Sequence, residues 1–282
     1  MKFITQSGID AGPIGQGTWY LGENPGKFNQ EVSALRAGIE AGMNLIDTAE
    51  MYGDGAAEVL VGESIKGLAR EKLYIVSKVY PWNAGRNKIF DCCKASLDRM
   101  KTDYMDLYLL HWQGAVPFEE TIECMEELKA QGFIRNWGVS NIDIREMEQL
   151  FAIENGDKCA TDQVLYHLGS RGVELDLLPW LQQRKIPMMA YCPLAQAGTL
   201  RQGILSDKTV LSAAASHNAT PQQIMLAFIL AQPGVYPIPR SSNPAHAQQN
   251  AAAAKVKLTN EELSALRAAF PAPEYKVPLD VQ

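Results

Sequence analysis

The chain has 282 residues, of which 46% are hydrophobic and 21% are charged, a balance typical of globular proteins. A net charge of −6 without a visible basic stripe argues against a nucleic-acid partner, and no apolar stretch is long enough to cross a bilayer. The first residues lack the apolar core of a signal peptide, so we expect a cytoplasmic protein.

Short apolar runs alternate with amphipathic segments along the chain. Runs rich in leucine and β-branched residues are typical of strands that are buried on both faces. The predicted strands occupy residues 13–17, 44–47, 73–79, 106–110, 133–139, 159–165, 187–191 and 234–238.

The segments between and after these strands carry apolar residues at helical spacing. One of them begins after Asp143, which is a good N-cap residue, and residues 195–210 are predicted to be a short loop. The other predicted helices occupy residues 30–41, 56–68, 86–100, 117–131, 173–185, 221–231, 244–254 and 260–270.

This alternation predicts an α/β fold with a parallel sheet, because parallel strands need crossover connections. Eight such units most simply close into one (β/α)8 TIM barrel domain over residues 1–282, with an N-terminal β-hairpin before it and extra helices after it. A doubly wound open sheet is the alternative. It would place a glycine-rich turn after the first strand, but Pro13 stands where that motif needs backbone freedom.

The cysteines and histidines follow no metal-binding spacing, so we predict no metal. Cys92 and Cys93 are adjacent, and Cys124, Cys159 and Cys192 form no CxxC pair, which indicates reduced thiols in a reducing compartment. None of the four histidines is spaced like a zinc ligand pair.

Three predicted strands end at an ionisable residue. These residues are Asp47, Lys78 and His111, and Tyr52 lies five positions past Asp47. The C-terminal ends of the strands in a parallel barrel share one face, where barrel enzymes carry their active sites. We therefore expect a carboxylate, an amine, an imidazole and a phenol to meet there.

These groups suit the reduction of a carbonyl compound. An ammonium group at Lys78, paired with Asp47, is expected to lower the pKa of Tyr52 and make it a better acid. His111 can orient a carbonyl oxygen while Tyr52 gives it a proton. The hydride must come from a cofactor, because no side chain can supply one.

Two other functions use the same residues. Lys78 could form a Schiff base with a carbonyl, as lysines of barrel aldolases do, although its pairing with Asp47 makes it a poor nucleophile. The chain could also bind a nicotinamide cofactor as a partner module without turnover. Taken singly, each residue also has a structural interpretation: an ion pair for Lys78, a cap for Asp47 and a satisfied buried histidine for His111.

Several motifs in a fixed order give the chain a resemblance to the aldo-keto reductases over nearly its whole length. They are GQGTW at 15–19, LIDTAEMY at 45–52, VSKV at 76–79, LLHW at 109–112, GVSN at 138–141, YCPL at 191–194 and IPRSSNP at 238–244. Within the family, the chain is most similar to bacterial methylglyoxal and diketogluconate reductases. The segment YHLGSRG at 166–172 looks like the methylglyoxal reductase subgroup.

The resemblance implies NADPH-dependent reduction of small aldehydes or ketones, such as methylglyoxal-like α-dicarbonyls or keto-sugars. It makes Tyr52 the general acid, Lys78 and Asp47 its tuning pair, and His111 the group that orients the carbonyl. We expect a monomer, since no coiled coil is visible. The residues expected to line the substrate pocket are Trp19, Tyr52, Trp82, His111 and Trp112.

The resemblance also implies a site for NADP(H). It places Ser140, Asn141 and Gln163 at the nicotinamide carboxamide, with Tyr191 stacked on the ring, although Ser140 and Asn141 alone could be turn residues. Further expected cofactor residues are Gly17, Thr18, Trp19, Asp47, Pro193, Leu194, Ile238 and Ser242.

The last part of the chain is expected to hold the adenosine end of the cofactor. The resemblance places Arg240, Ser241 and Asn243 at the 2′-phosphate, and Gln249 and Asn250 at the adenine. Because a guanidinium binds phosphate through paired hydrogen bonds, NADPH is favoured over NADH. His246 stands where many relatives have arginine, which weakens this preference.

Overall fold

A computed structural model describes residues 11–196 and 198–282. Its centre is one eight-stranded parallel sheet in which the strands are ordered as in the chain. The strands are β1 (Gln16–Gly17), β2 (Leu45–Asp47), β3 (Tyr74–Val79), β4 (Met105–Leu110), β5 (Ile134–Ser140), β6 (Asp162–Leu165), β7 (Met188–Tyr191) and β8 (Val235–Pro237).

Hydrogen bonds join the first strand to the last and close the sheet into a barrel. The backbone N–H groups of Gly15 and Gly17 donate to the carbonyl oxygens of Pro237 and Pro239, over 3.0 and 3.2 Å. The predicted (β/α)8 barrel is therefore confirmed, and the doubly wound open sheet is wrong. Gly17 is required there, since a Cβ atom would lie 2.9 Å from the oxygen of Ile238.

Helices cover the outside of the barrel and extend beyond it. They are α1 (Phe28–Glu40), α2 (Ala56–Ile65), α3 (Ile89–Met100), α4 (Phe118–Ala130), α5 (Ile144–Phe151), α6 (Leu177–Gln183), α7 (Thr199–Ser206), α8 (Lys208–Ser216), α9 (Pro221–Leu230), α10 (Pro244–Ala252) and α11 (Asn260–Ala269). The extra helices predicted at the C-terminal end are α10 and α11. The N-terminal hairpin predicted in the first dozen residues falls mostly on residues 1–10, which lie outside the described residues.

The prediction of a short loop at 195–210 is wrong, because α7 and the start of α8 lie there. Asp207 separates the two helices and caps α8, accepting hydrogen bonds from the backbone N–H groups of Thr209 and Val210. Ile204 and Val210 are buried in the main core. Tertiary burial of these apolar residues stabilises two helices that are too short to be stable alone.

Alternation along the strands sorts side chains between the barrel interior and the helical layer. In β3, Tyr74 and Val76 belong to the interior cluster, whereas Ile75 and Val79 belong to the cluster under the helices. Lys78 has the same parity as Tyr74 and Val76, so its side chain enters the barrel at the C-terminal end of the strand. None of the helices in the described ranges combines the length and the hydropathy of a membrane span.

Candidate active site

The C-terminal ends of the strands open onto a cavity of about 400 Å³. This is the face on which parallel barrels carry their active sites. Of the predicted site residues, those that line the cavity are Gly17, Thr18, Trp19, Asp47, Tyr52, His111, Ser140, Asn141, Gln163, Tyr191, Pro193, Leu194, Ile238 and Arg240.

The Nζ atom of Lys78 lies at the centre of the hydrogen-bond network beneath this cavity. It donates to Oδ1 of Asp47 over 2.7 Å, to the carbonyl oxygen of Thr48 over 2.9 Å and to the hydroxyl of Tyr52 over 3.0 Å. All three ammonium hydrogens are therefore used. Lys78 is fully buried and Asp47 is nearly so, which makes this a buried ion pair with a phenol attached.

Burial changes the ionisation of these groups. It raises the pKa of Asp47 and lowers the pKa of Lys78, while the contact between the two opposes both shifts. Burial and the Asp47 charge raise the pKa of Tyr52 well above its usual value. The expectation that the pKa of Tyr52 is lowered is wrong for this structure, because desolvation of the phenolate, followed by the Asp47 charge, dominates. The phenol of Tyr52 is thus neutral near pH 7.

His111 directly follows β4 and lies beside Tyr52. The two ring centroids are 5.9 Å apart, with one ring edge facing the other. Burial, together with the Lys78 charge, lowers the pKa of His111 to about 2. Its Nδ1 atom is buried and has no hydrogen-bond partner among the described residues. The imidazole is therefore neutral near pH 7 and can donate one hydrogen bond to a carbonyl oxygen.

A second set of polar side chains follows β5, β6 and β7, and we call Ser140, Asn141, Gln163 and Tyr191 the amide clamp. Gln163 Nε2 donates to the second carboxylate oxygen of Asp47 over 2.7 Å, which links the clamp to the Lys78 network. Ser140 Oγ donates to the carbonyl oxygen of Gln163, and the Tyr191 hydroxyl donates to Asn141 Oδ1 over 2.8 Å. These contacts hold the side-chain amides of Asn141 and Gln163, each with N–H donors and a C=O acceptor, at the cavity wall.

The segment after β8 supplies a cation and the N-terminus of a helix. Arg240 lines the cavity and is exposed. Asn243 caps α10, since its Oδ1 accepts hydrogen bonds from the backbone N–H groups of Ala245 and His246. The side-chain oxygen of Asn243 is thus already used, and Ser241 Oγ donates to the carbonyl oxygen of Asn243 and accepts from its backbone N–H. The guanidinium groups that line the cavity are those of Arg240 and Arg201.

The remaining predicted residues lie outside the cavity wall. Trp82 and Trp112 form an aromatic group with Tyr80, with ring centroids 4.3 to 6.0 Å apart, and Trp112 contacts the ring of His111. This group therefore lies beside the reacting groups. The predicted cofactor residues outside the wall are Ser241, Ser242, Asn243, His246, Gln249 and Asn250, which precede or belong to α10.

Some cavity residues were not predicted as site residues. They are Tyr20, Met51, Cys192, Ala195, Gln196, Arg201, Pro239 and Gln282. A helical assignment for α7 would have drawn attention to Arg201 as a second cation. Gln282 carries no local signal at all, because it reaches the cavity only through the tertiary course of the last residues.

Comparison with known proteins identifies a family and several similar proteins. A family model described as the Aldo/keto reductase family matches residues 13–270. The chain is 55% identical over 281 residues to methylglyoxal reductase YeaE of Escherichia coli (strain K12), covering 99% of each chain. It is 33% identical to the glyoxal reductase of Bacillus subtilis (strain 168), covering 85% of this chain and 83% of that one.

A solved structure has nearly the same backbone. The crystal structure of an aldo-keto reductase from Klebsiella pneumoniae in complex with NADPH superposes with a TM-score of 0.96 at 49% sequence identity. The superposition covers 100% of this chain and 99% of the other.

Proposed function

Because this chain belongs to the aldo/keto reductase family, we propose that it reduces small aldehydes and ketones, α-dicarbonyls such as methylglyoxal above all, to alcohols with NADPH. The observation that carries the proposal is the buried contact of Lys78 with both Asp47 and Tyr52, beside a neutral His111. The relatives named methylglyoxal reductase and glyoxal reductase support the substrate class, and the NADPH-bound relative supports the cofactor.

The polar side chains around the cavity suit a dinucleotide that carries a 2′-phosphate. The amide clamp offers N–H and C=O groups of the kind that pair with a carboxamide, and Arg240 and Arg201 offer two guanidinium groups for phosphates. The bound NADPH would supply a hydride to the carbonyl carbon. We propose that the clamp holds the nicotinamide end and that Arg240 and Ser241 hold the 2′-phosphate.

We propose that Tyr52 gives its hydroxyl proton to the carbonyl oxygen as the hydride arrives. The Lys78 hydrogen bond to the Tyr52 oxygen becomes stronger as negative charge develops there, which stabilises the transition state more than the ground state. His111 donates a hydrogen bond to the same carbonyl oxygen and orients it. Asp47 keeps Lys78 charged and in place.

The geometry does not favour the Schiff-base alternative. A lysine must present an unprotonated nitrogen lone pair to attack a carbonyl. All three Nζ hydrogens of Lys78 are donated to Asp47, Thr48 and Tyr52, so the nitrogen is held as an ammonium. A non-catalytic binding module is not favoured either, because Asp47, Tyr52 and His111 line the cavity in which the cofactor is proposed to bind.

The most direct test is to follow NADPH absorbance while purified protein meets a panel of carbonyl compounds. We expect the largest kcat/KM for methylglyoxal and glyoxal, with lower values for keto-sugars and aldoses. Tight NADPH binding without turnover of any member of the panel would contradict the proposal and support a binding module. Borohydride-dependent attachment of a substrate to Lys78 would instead support the Schiff-base chemistry.

Replacing Arg240 by alanine tests the proposed phosphate contact. We expect kcat/KM for NADPH to fall by about 10- to 100-fold, since a charge-assisted hydrogen bond contributes about 1.5–3 kcal/mol. The value for NADH, which lacks the 2′-phosphate, should change far less. Steady-state kinetics give the ratio of kcat/KM for NADPH to kcat/KM for NADH. Arg36→Ala on α1 is the control and should leave this ratio unchanged. Equal losses with NADPH and NADH would show that Arg240 does not bind the phosphate.

We also propose that residues 1–282 form one domain that acts as a cytoplasmic monomer. All eight strands belong to one sheet, and α10 packs on α1, which supports a single unit. The predicted catalytic residues Asp47, Tyr52, Lys78 and His111 meet within one barrel, which supports a single copy as the catalytic unit. The five cysteines are free, which favours a reducing compartment.

A further inference from the structure

The last residues of the chain return from α11 to the cavity. We call residues 271–282 the strap. Gln282 lines the cavity, and Leu279 packs against the main hydrophobic core. The strap has no helix or strand, so side-chain contacts with the barrel determine where it lies.

The YHLGSRG segment at 166–172 forms a cradle for the strap. Ser170 Oγ donates a hydrogen bond to the carboxylate of Asp280. Gly172 allows close approach, because a Cβ atom there would lie 2.8 Å from a methyl carbon of Val277. This motif, which the catalytic proposal does not use, therefore holds two points of the strap.

Arg171 fixes the start of the strap and is itself held rigidly. Its Nη1 donates to the carbonyl oxygen of Phe270 over 2.6 Å. Its other nitrogens donate to both carboxylate oxygens of Glu174, over 2.8 and 2.6 Å, and Tyr166 donates to the same carboxylate. A bidentate pair of this kind fixes the direction of the guanidinium.

Lys276 joins the strap to two helix caps. Its Nζ lies 2.6 Å from Asp143 Oδ1 and 3.0 Å from Asp176 Oδ1. Asp143 caps α5 and Asp176 caps α6, each through a hydrogen bond from the next backbone N–H. One lysine thus pairs with two carboxylates that already have fixed positions, which reduces the conformational entropy lost on forming the pairs.

The strap also reaches the amide clamp. Gln282 and Tyr191 line the same cavity wall, where the backbone N–H of Gln282 approaches the Tyr191 hydroxyl, and this hydroxyl donates to Asn141 Oδ1 over 2.8 Å. Asn141 lies two residues before Asp143 and has a φ of 57°, a left-handed backbone conformation that its surroundings must maintain. The strap therefore touches Tyr191 directly and lies close to Asn141 through Lys276 and Asp143.

From these contacts we propose that Lys276 is a positioning residue that latches the strap onto the amide clamp and so slows release of the nicotinamide end of NADPH. This rests on the proposed function, which places the nicotinamide at Asn141 and Tyr191. Lys276 touches neither cofactor nor substrate and acts through Asp143 and the strap. Because its side chain is 39% exposed, the latch is sensitive to salt.

The test compares two ligands that share the same phosphates. NADPH and 2′-phospho-ADP-ribose, which lacks the nicotinamide ring, are bound to the wild type, Lys276→Met and Lys276→Arg. We expect Lys276→Met to raise the dissociation rate constant of NADPH by about two- to fivefold, the range expected for a partly exposed ion pair, and to leave the fragment unchanged. Lys276→Arg should restore slow release. Stopped-flow fluorescence gives both rate constants.

Two controls separate the latch from a general loss of charge. Lys66→Met removes an exposed lysine that pairs with Glu63 on α2, far from the strap in the chain, and should leave NADPH release unchanged. At a salt concentration of about 0.5 M the Debye length is about 4 Å, so the NADPH dissociation rate constants of wild type and Lys276→Met should become more alike. Hydrogen exchange of residues 271–282 should become faster in Lys276→Met alone.

Several outcomes would overturn the inference. One is that wild type and Lys276→Met release NADPH at the same rate, although Asn141→Ala weakens the binding of NADPH and not that of the fragment. In that case the latch is refuted, while the proposed function and the place of the nicotinamide are not. Another is that Lys276→Met raises the dissociation rate constants of NADPH and of the fragment by the same factor, which would indicate only a general effect of the lost charge. If Asn141→Ala affects neither ligand, the nicotinamide is not at the clamp, and both the latch and the proposed placement of the cofactor fail, whereas loss of carbonyl reduction itself is judged by the NADPH assay.

Discussion

Replacing Tyr52 by phenylalanine is expected to lower kcat by about 10²- to 10⁴-fold, the usual contribution of a positioned general acid. The change removes one oxygen atom and keeps the ring, which packs between Trp19 and His111. Since Tyr52 is not expected to hold the cofactor, the dissociation constant for NADPH should stay within about twofold, a difference of less than about 0.5 kcal/mol.

Single-turnover reduction of methylglyoxal by enzyme-bound NADPH measures the chemical step of this variant. Tyr108→Phe is a matched control, because Tyr108 is a fully buried tyrosine of β4 whose hydroxyl has no hydrogen-bond partner among the described residues. It should keep nearly the wild-type rate. A normal rate in Tyr52→Phe would show that another group supplies the proton.

The second large effect is expected for Lys78→Met, which should damage both stability and turnover. Removing the ammonium leaves Asp47 buried without its cation, and breaking a buried pair costs about 3–5 kcal/mol of unfolding free energy. The phenol of Tyr52 also loses its hydrogen-bond donor, so we expect kcat to fall at least about 100-fold. Urea titration and steady-state kinetics measure the two effects.

A double variant separates structure from chemistry at this pair. Asp47→Asn together with Lys78→Met replaces both charges by neutral groups of similar size, a change that is often tolerated in a protein interior. We expect it to regain much of the stability that Lys78→Met loses and to remain inactive. Recovery of turnover in the double variant would show that the ammonium does not assist the proton transfer.

The outline of the fold could be predicted from the sequence because its strands are buried on both faces. Such strands appear as short apolar runs whatever surrounds them, and each predicted run contains or overlaps one strand of the structure. Strand ends are also visible in the sequence, since Asp47, Lys78 and His111 interrupt or follow apolar runs. In a parallel barrel this shared position brings them to one face.

The helices α7 and α8 were missed for a physical reason. Each helix is short, with eight residues in α7 and nine in α8, and Gly203 lies inside α7 while Asp207 interrupts the pair, so neither segment stands out as a helix from its local sequence. Burial of Ile204 and Val210 against the barrel, which no local pattern encodes, makes these segments helical. Arg201 and Gln196 reach the cavity as a consequence.

The ionisation of Tyr52 likewise depends on burial. A lysine near a tyrosine lowers the pKa of the phenol only where its attraction for the phenolate outweighs the desolvation of that anion and the repulsion from nearby carboxylates. The sequence places Lys78, Asp47 and Tyr52 in one group, but it gives no measure of desolvation. In the folded protein, desolvation and the Asp47 charge outweigh the ammonium and keep the phenol protonated.

By itself, then, the sequence determined the order of strands and helices, the barrel and the residue types at the C-terminal strand ends, because these depend on local apolar patterning and chain connectivity. Only the tertiary structure decided which of those side chains are in contact and which are excluded from solvent. It also decided that the strap crosses residues 166–172 and brings Gln282 to the cavity. Contact distance and solvent exclusion depend on the packing of segments far apart in the chain, as with Gln163 and Asp47, and no short stretch of sequence contains that information.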